Sequence, residues 1–339
     1  MNSLLRCDRG DEIIGMGSDT TDLVLSKASR RYIVPYADSP EYKTQLRKLL
    51  LHEKPDLVHF QNDLEIYEAS KLRSDIVSTG TGLYMPSHDV ISTCVNKYET
   101  QKKWSAEGIK VPRNILIRNE RDLYGAFDKL GDDQGRIWLR ASSIGGGGKG
   151  ALPTNDPTFA KGWIDRYNGW DDFVAAEMLS PDTVTWLSIW YHGELVVAQT
   201  RVRKGWTHGN RSASGVTGVT KVGQTFSDPT VDGVAMDAIR VIDSEPHGIY
   251  GVDMAYDFSG FPNPTEINIS RFFTTVLFFT EAGLNMPKIF KDIALHNEFP
   301  VLNRRVNPLP DGLLWLRGMD TLPQLTTENE LNDSLLQLS

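Results

Sequence analysis

Short apolar runs alternate with helical stretches over the first part of the chain. DEIIGMG (11–17), RRYIVP (30–35), PDLVHFQ (55–61) and TGLYMP (81–86) read as strands. Between them, EYKTQLRKLLLHEK (41–54) and residues 64–75 carry the spaced apolar positions of helices. Strand and helix alternating at this interval predict a parallel α/β layer, a small open sheet over roughly the first ninety residues.

The pattern changes after Pro86. Residues 96–107 predict a helix closed by Gly108, and Val111-Pro112 opens an extended segment. ILIRNE (115–120), a helix in DLYGAFDKL (122–130) and RIWLRAS (136–142) follow. Asn155-Asp156-Pro157 signals a helix start, and FVAAEML (173–179) a strand. TVTWLSIWYHGELVVAQTRVR (183–203) is dense in β-branched and aromatic residues and predicts a hairpin turning at His192-Gly193. VDGVAMDAIRVID (231–243) predicts a helix, and GIYGVDMAYDFSGFPNPTEINIS (248–270) a second hairpin with its turn in SGFPNP. Beyond Pro300 there is one apolar piece, GLLWLRGMD (312–320), and a polar end expected to be disordered.

A chain of 339 residues is long enough for two or three lobes. Its net charge of -8 argues against broad nucleic-acid or anionic-membrane binding, while leaving room for a local basic pocket. Cys7 and Cys94 show no metal or redox spacing, which suits inert thiols in a reducing cytoplasm. Charge arrives in MNSLLRCDRGDE before any sizeable apolar region, unlike a signal peptide, and the longest apolar clusters, such as VLFF (276–279), fall far short of a membrane span.

RASSIGGGGKGAL (140–152) is the first candidate for chemistry. Gly145, Gly147 and Gly150 satisfy G-x-G-x-x-G, but Ala151-Leu152-Pro153 follows where a dinucleotide-binding turn needs a helix. A P-loop needs Ser or Thr after Gly148-Lys149 and finds Gly150. A slack linker fits poorly between the apolar segments RIWLR and GAL. The remaining reading is a glycine-rich turn between two strands whose amides close over phosphates, with Arg140 and Lys149 supplying positive charge.

Magnesium bound with phosphates needs hard oxygen ligands close together. Glu266 and Asn268 are two apart on one predicted strand and share a face, and Asp253 on the neighbouring strand can lie beside them. Val252, Met254, Ile267 and Ile269 make the opposite, apolar face. Spacing alone leaves open that the acids are solvated hairpin charges.

In order, these motifs resemble the ATP-grasp superfamily, in its carbamoyl-phosphate-synthase-like branch, over roughly residues 10–300. NKYETQKKWSAEGIKVP resembles the helix leading into the first lobe, RASSIGGGGKG the glycine-loop segment, and TEINISR the closing Glu-x-Asn strand. The resemblance implies an ATP-grasp fold of α/β class behind an N-terminal Rossmann-like parallel-sheet lobe, which is expected to lack its first strand because NSLLR resembles the helix that should follow it. The implied lobes are 1–95, 96–176 with the glycine-rich lid, and 177–300 with the magnesium site, followed by a tail over 301–339.

Carried over by position, Lys97 and Arg140 contact ATP phosphates, and Gly145, Gly146, Gly147, Gly148 and Lys149 form a lid. Glu177, Met178 and Leu179 connect the lobes where adenine and ribose bind, and Asp253, Glu266 and Asn268 hold Mg2+, with Mn2+ as the alternative ion. Arg201, Arg203 and Arg271 are candidates for an acyl phosphate or substrate carboxylate, although Arg271 stands one residue later than the arginine of carbamoyl phosphate synthases. His208 reads as a surface histidine, and Trp206 and Arg211 as candidates to shape a substrate pocket.

The implied activity is an ADP-forming carboxylate-amine ligase acting on a small-molecule acid and amine. Two alternatives stay open: phosphorylation of a small carboxylate such as carbamate or bicarbonate, and a nucleotide-binding regulatory protein without catalysis. The expected setting is cytoplasmic, with no nucleic-acid or membrane partner and a homodimer as one open assembly.

Overall fold

A computed structural model describes residues 1–7, 10–143, 150–216, 218–319 and 321–333. The chain begins with β1 (Ile14–Gly17), α1 (Thr20–Leu25), β2 (Arg30–Ile33), α2 (Tyr42–Glu53), β3 (Leu57–Val58), α3 (Asp63–Lys71), α4 (Arg73–Val77) and β4 (Gly82–Leu83). The alternation and parallel pairing are as predicted, but the strands make two separate two-stranded sheets, β1 with β2 and β3 with β4, instead of one. Strands of two residues, as β3 and β4 are, offer too few ladder bonds to recruit neighbours.

Two helices follow, α5 (His88–Val95) and α6 (Lys97–Ala106). Only the second was expected. The Ser87 hydroxyl caps α5 by accepting the Val90 amide, and the Asn96 side chain caps α6 by accepting the amides of Tyr98 and Glu99, each at 3.1 Å. The break at Asn96 divides the apolar periodicity, which hid the first helix. At the other end Gly108, with φ +78°, closes α6 as predicted.

A four-stranded antiparallel sheet comes next, with β5 (Asn114–Leu116), α7 (Glu120–Leu130), β6 (Ile137–Ala141), β7 (Leu152–Thr154), α8 (Pro157–Arg166) and β8 (Phe173–Ala176). Its order is β5-β8-β6-β7. Leu123, Ala126, Ala160 and Ile164 from the two helices pack on Ile137, Leu139 and Phe173 of the sheet. Asp156 accepts from the Thr158 and Phe159 amides with Pro157 in the first turn, the arrangement that Asn155-Asp156-Pro157 announced.

The largest sheet is built from β9 (Thr183–Tyr191), β10 (Glu194–Trp206), β11 (Thr220–Phe226), β12 (Gly248–Tyr256), β13 (Pro262–Ile269), β14 (Leu313–Leu316) and β15 (Gln324–Thr327). Helices α9 (Pro229–Ile242), α10 (Val276–Glu281), α11 (Met286–His296) and α12 (Glu328–Asp333) are interspersed. The order is β13-β12-β9-β10-β11-β14-β15. His192 and Gly193 turn the first hairpin with φ of 45° and 83°, the double positive φ of a tight turn matched to strand twist. The second hairpin turns earlier than SGFPNP, at residues 257–261, and Pro262 and Pro264 lie on β13 itself. As an edge strand, β13 can lack their ladder N–H groups.

Residues beyond Pro300 do more than the expected apolar piece and polar end suggested, because β14 and β15 extend the large sheet past β11. Residues 334–339, the end expected to be disordered, lie outside the described residues. No described helix is long and apolar enough to cross a membrane.

The two faces of this sheet differ. Trp186, Trp190, Val252, Met254, Ile267 and Ile269 point into a core shared with Ile91, Trp104 and the α9 residues Val231, Ala235 and Ile239. On the other face, Leu187, Ile189 and Ile249 pack beneath Phe278, Phe279 and Phe290 of α10 and α11. Moving back along β9 on that second face, the residues turn from apolar to polar at Thr185 and Thr183.

Candidate active site

The polar end of that face carries the candidate residues. In register across four adjacent strands lie Glu266, Asp253, Thr185 and Arg201. Residues opposite one another on neighbouring strands share a face, so the sheet itself aligns these side chains. Asn268, two residues on from Glu266, stands opposite Gly251 on the same face. Meanwhile Val252, Met254, Ile267 and Ile269 are buried on the far side, so the acids face one surface and are not loose hairpin charges.

Hydrogen bonds then fix the side chains. Asp253 accepts from the Thr185 hydroxyl through Oδ1 and from Asn268 Nδ2 at 2.9 Å through Oδ2. The Asn268 carbonyl oxygen accepts in turn from Arg271, whose guanidinium also forms a two-pronged pair with Asp63 at the start of α3. Gln61 clasps the next residue, donating to the Phe272 carbonyl at 3.2 Å and accepting its amide at 3.1 Å. Arg271 thus joins the N-terminal segment to the carboxylate row.

Lys97, the first residue of α6, brings its Nζ to 3.5 Å from Glu266. Its helix start is tied to β6 by Ser142, whose hydroxyl donates to Asn96 Oδ1 at 2.7 Å and accepts the Tyr98 amide at 3.0 Å. Arg140 on β6 donates to the Thr265 carbonyl at 2.9 Å, one residue before Glu266. Burial would raise the Glu266 carboxyl, but Lys97, Arg140 and Arg271 outweigh it and hold it below the usual carboxylate range. Glu266 is therefore an anion at neutral pH.

The chemistry of this donor set suits a hard divalent cation. Asp253 and Glu266 contribute carboxylates and Asn268 an amide oxygen, and each carboxylate oxygen that accepts one hydrogen bond keeps a second lone pair.

Arg201 is 2% exposed, and its terminal nitrogens donate to the hydroxyls of Thr220, Thr275 and Thr185 at 2.8–2.9 Å. Its side chain crosses Gly223, where a Cβ would approach Arg201 Cδ to 3.0 Å. Arg203 donates to Thr183 at 2.8 Å and to Thr220 at 3.2 Å, stands 3.8 Å from Asp253, and lies under the Trp206 ring at 3.9 Å. Burial lowers the pKa of both guanidinium groups, and the proximity of Arg203 lowers that of Arg201 further.

Glu177, Met178 and Leu179 lie just after β8, in the segment that passes from the four-stranded sheet to β9. Both Glu177 carboxylate oxygens are engaged by Arg113, through its amide at 2.8 Å and its guanidinium at 2.6 and 2.7 Å. Gly145, Gly146, Gly147, Gly148 and Lys149 lie outside the described residues. The residues flanking them are anchored: Ser143 donates its amide and hydroxyl to Asp172 Oδ1, and the Gly150 carbonyl accepts from Trp163 Nε1 at 3.0 Å. His208 meets Met319, and Arg211 sits in a short 3₁₀ turn outside the polar row.

Several participants escaped the sequence reading. Thr183 and Thr185 announce themselves only as the polar half of TVTW, and Asp63 and Gln61 touch the site from over two hundred residues away. Arg317 also approaches, with NH1 3.4 Å from the Thr220 carbonyl. Nothing in its local sequence marks it.

No family model matches the chain, and no curated protein matches it either. Solved structures do. N5-carboxyaminoimidazole synthetase from Staphylococcus aureus complexed with ADP superposes with a TM-score of 0.70, covering 98% of this chain and 82% of that one at 14% identity. Carboxyaminoimidazole ribonucleotide synthase from Aspergillus clavatus complexed with ATP gives 0.68 over 93% and 77% at 14% identity. L-amino acid ligase from Bacillus licheniformis gives 0.63 over 85% and 68% at 13% identity. What such distant likeness shares is architecture: the chain has the ATP-grasp fold.

Proposed function

We propose that this protein is an ATP-dependent, ADP-forming ligase that joins a carboxylic acid to an amine. The observation that carries the reading is the row of Glu266, Asp253 and Asn268 on one sheet face, with Lys97 at 3.5 Å from Glu266 and Arg140 bound beside it. Two carboxylates set among cations suit a magnesium nucleotide, and solved structures of the same fold include ligases and nucleotide complexes. In this reading residues 96–176 and 177–300 form the two lobes that enclose ATP, with Glu177, Met178 and Leu179 at the adenine and ribose, and 1–95 packs ahead of them. Free Cys7 and Cys94 suit a cytoplasmic setting.

Asp253, Glu266 and Asn268 would hold Mg2+, which supplies neutralisation of the triphosphate charge and polarises the transferred phosphoryl group. Lys97 and Arg140 bind phosphate oxygens. A carboxylate oxygen of the acid attacks the γ-phosphorus, the bond to the β-phosphate oxygen breaks, and ADP leaves. The amine nitrogen then attacks the acyl carbon, inorganic phosphate departs, and the nitrogen loses a proton to solvent. Arg203 faces the charge that develops on the acid, with Arg201 behind it adding positive potential. Positioning and charge neutralisation do the work, and no enzyme nucleophile is called for.

The test is ADP release with Mg2+, ATP and a panel of acids and amines. Glu266→Gln should reduce turnover by about a hundredfold or more, in the range seen when one electrostatic stabiliser is removed, while the variant keeps a cooperative thermal transition. Turnover by Glu266→Gln at the wild-type rate would refute the assignment.

A further inference from the structure

Three guanidinium groups converge on one residue of β11. The Thr220 hydroxyl accepts from Arg201 at 2.8 Å and from Arg203 at 3.2 Å, and its carbonyl lies 3.4 Å from Arg317 NH1. Arg201 is buried, Arg203 has 10% of its side chain exposed, and Arg317 is half-buried. Among the described residues, the one carboxylate in ion-pair range of this trio is Asp253, 3.8 Å from Arg203. That carboxylate is already committed to the row with Glu266 and Asn268. The remaining partners are threonine hydroxyls and a backbone carbonyl, which satisfy N–H groups without balancing charge. Among the described residues, Arg201 Nε is buried with no acceptor.

Like charges gathered in a partly desolvated place repel, and the cost is relieved when an anion enters. The fold makes specific room for the cluster. Gly223 leaves open the space that Arg201 crosses, and Trp206 lies over Arg203 and holds its plane. A single substrate carboxylate brings one negative charge to these three guanidinium groups.

We propose that the acid substrate carries a second anionic group, a further carboxylate or a phosphate, seated against Arg203 and Arg317 with Arg201 behind them. The inference rests on the ligase reading for the statement that the ligand is the acid to be activated. Arg317 is then a specificity residue: it distinguishes a dianionic acid from a monoanionic one of the same length.

The experiment measures binding and turnover separately on the full chain. Succinate and 2-phosphoglycolate are titrated against butyrate and glycolate by calorimetry, with Mg2+ and a non-hydrolysable ATP analogue present, and ADP release is followed with ATP and an amine panel. A dianion should bind at least about tenfold more tightly than its monoanionic counterpart, and Arg317→Gln should weaken dianion binding roughly tenfold to a hundredfold, the worth of a charged hydrogen bond. Arg317→Lys should restore part of it, and Arg121→Gln on the exposed face of α7 none of the loss. Thermal unfolding checks that each variant is folded. Preference for succinate identifies a dicarboxylate, and preference for 2-phosphoglycolate a phosphorylated acid. Equal binding of mono- and dianions, no binding of either dianion, or an equal effect of Arg317→Gln on both classes overturns the inference. Arg317-dependent dianion binding without ADP release leaves it standing and removes the ligase reading. ADP release with monoanionic acids alone does the reverse.

Discussion

Asp63→Asn tests whether the N-terminal segment helps to set the metal-binding row. Asp63 holds Arg271, Arg271 donates to Asn268, and Asn268 donates to Asp253. The Arg271 and Asp63 side chains are 19% and 31% exposed, so the pair is sheltered without being fully desolvated. A two-pronged pair in that setting is worth about 1 to 2 kcal/mol, above the range of exposed ion pairs. The amide keeps the shape of Asp63 and one acceptor oxygen but loses the charge, leaving Arg271 free to swing away from Asn268. With Asn268 unfixed, Asp253 loses the donor that orients it. Converted to a concentration ratio, the loss raises the Mg2+ needed for half-maximal ADP formation about fivefold to thirtyfold. The KM for ATP at saturating Mg2+ should stay within about twofold, because no nucleotide contact is assigned to Asp63. The assay is a Mg2+ titration of initial ADP release for wild type and variant, with thermal unfolding beside it. An unchanged Mg2+ requirement, with the variant folded, would refute the argument that Asp63 positions the row.

Two further outcomes follow from particular contacts. Gly223→Ala places a methyl 3.0 Å from Arg201 Cδ and 3.4 Å from its Cγ, so a thermal melt should show a loss of about 1 to 3 kcal/mol as Arg201 gives way. No loss would mean that Arg201 has room to spare. The Glu266 carboxyl is held below its ordinary value by Lys97, Arg140 and Arg271 against the opposing effect of burial. Its contribution to stability is then fully present above the unfolded value of about 4.3 and is lost as pH falls through the depressed folded value. Wild type should therefore lose more stability than Glu266→Gln on acidification below about pH 4.3, read as melting temperature against pH. Parallel curves would contradict the sign of that shift.

The part of the site that follows from local pattern was legible in the sequence. Period-two alternation in GIYGVDMAYDFSGFPNPTEINIS puts Asp253, Glu266 and Asn268 on one face and Val252, Met254, Ile267 and Ile269 on the other, and the register of β12 and β13 has them so. Local signals likewise marked the end of α6 at Gly108, the start of α8 and the turn at His192-Gly193. Contacts made at long range were not legible. Asp63 reaches Arg271, Gln61 reaches Phe272 and Arg317 reaches Thr220 only because separate elements are brought together by folding, and no local spacing encodes such meetings. Strands β11 and β15 were missed for a related reason. TKVGQTF and QLTT carry few apolar residues of their own and gain their order from pairing at the far end of a large sheet. Arg201 illustrates the same limit differently: the resemblance made it a candidate for an acyl phosphate or substrate carboxylate, and its burial, at 2% exposed, was not legible from its place on a strand.

The most direct test of the central claim follows oxygen. With Mg2+, ATP, the amine and an acid whose carboxylate is labelled with 18O, activation as an acyl phosphate leaves the attacking oxygen on phosphorus when the amine displaces it. The account predicts ADP together with inorganic phosphate carrying one labelled oxygen per turnover, read by the isotope shift in 31P NMR. AMP and pyrophosphate as products, or phosphate free of label, would contradict it.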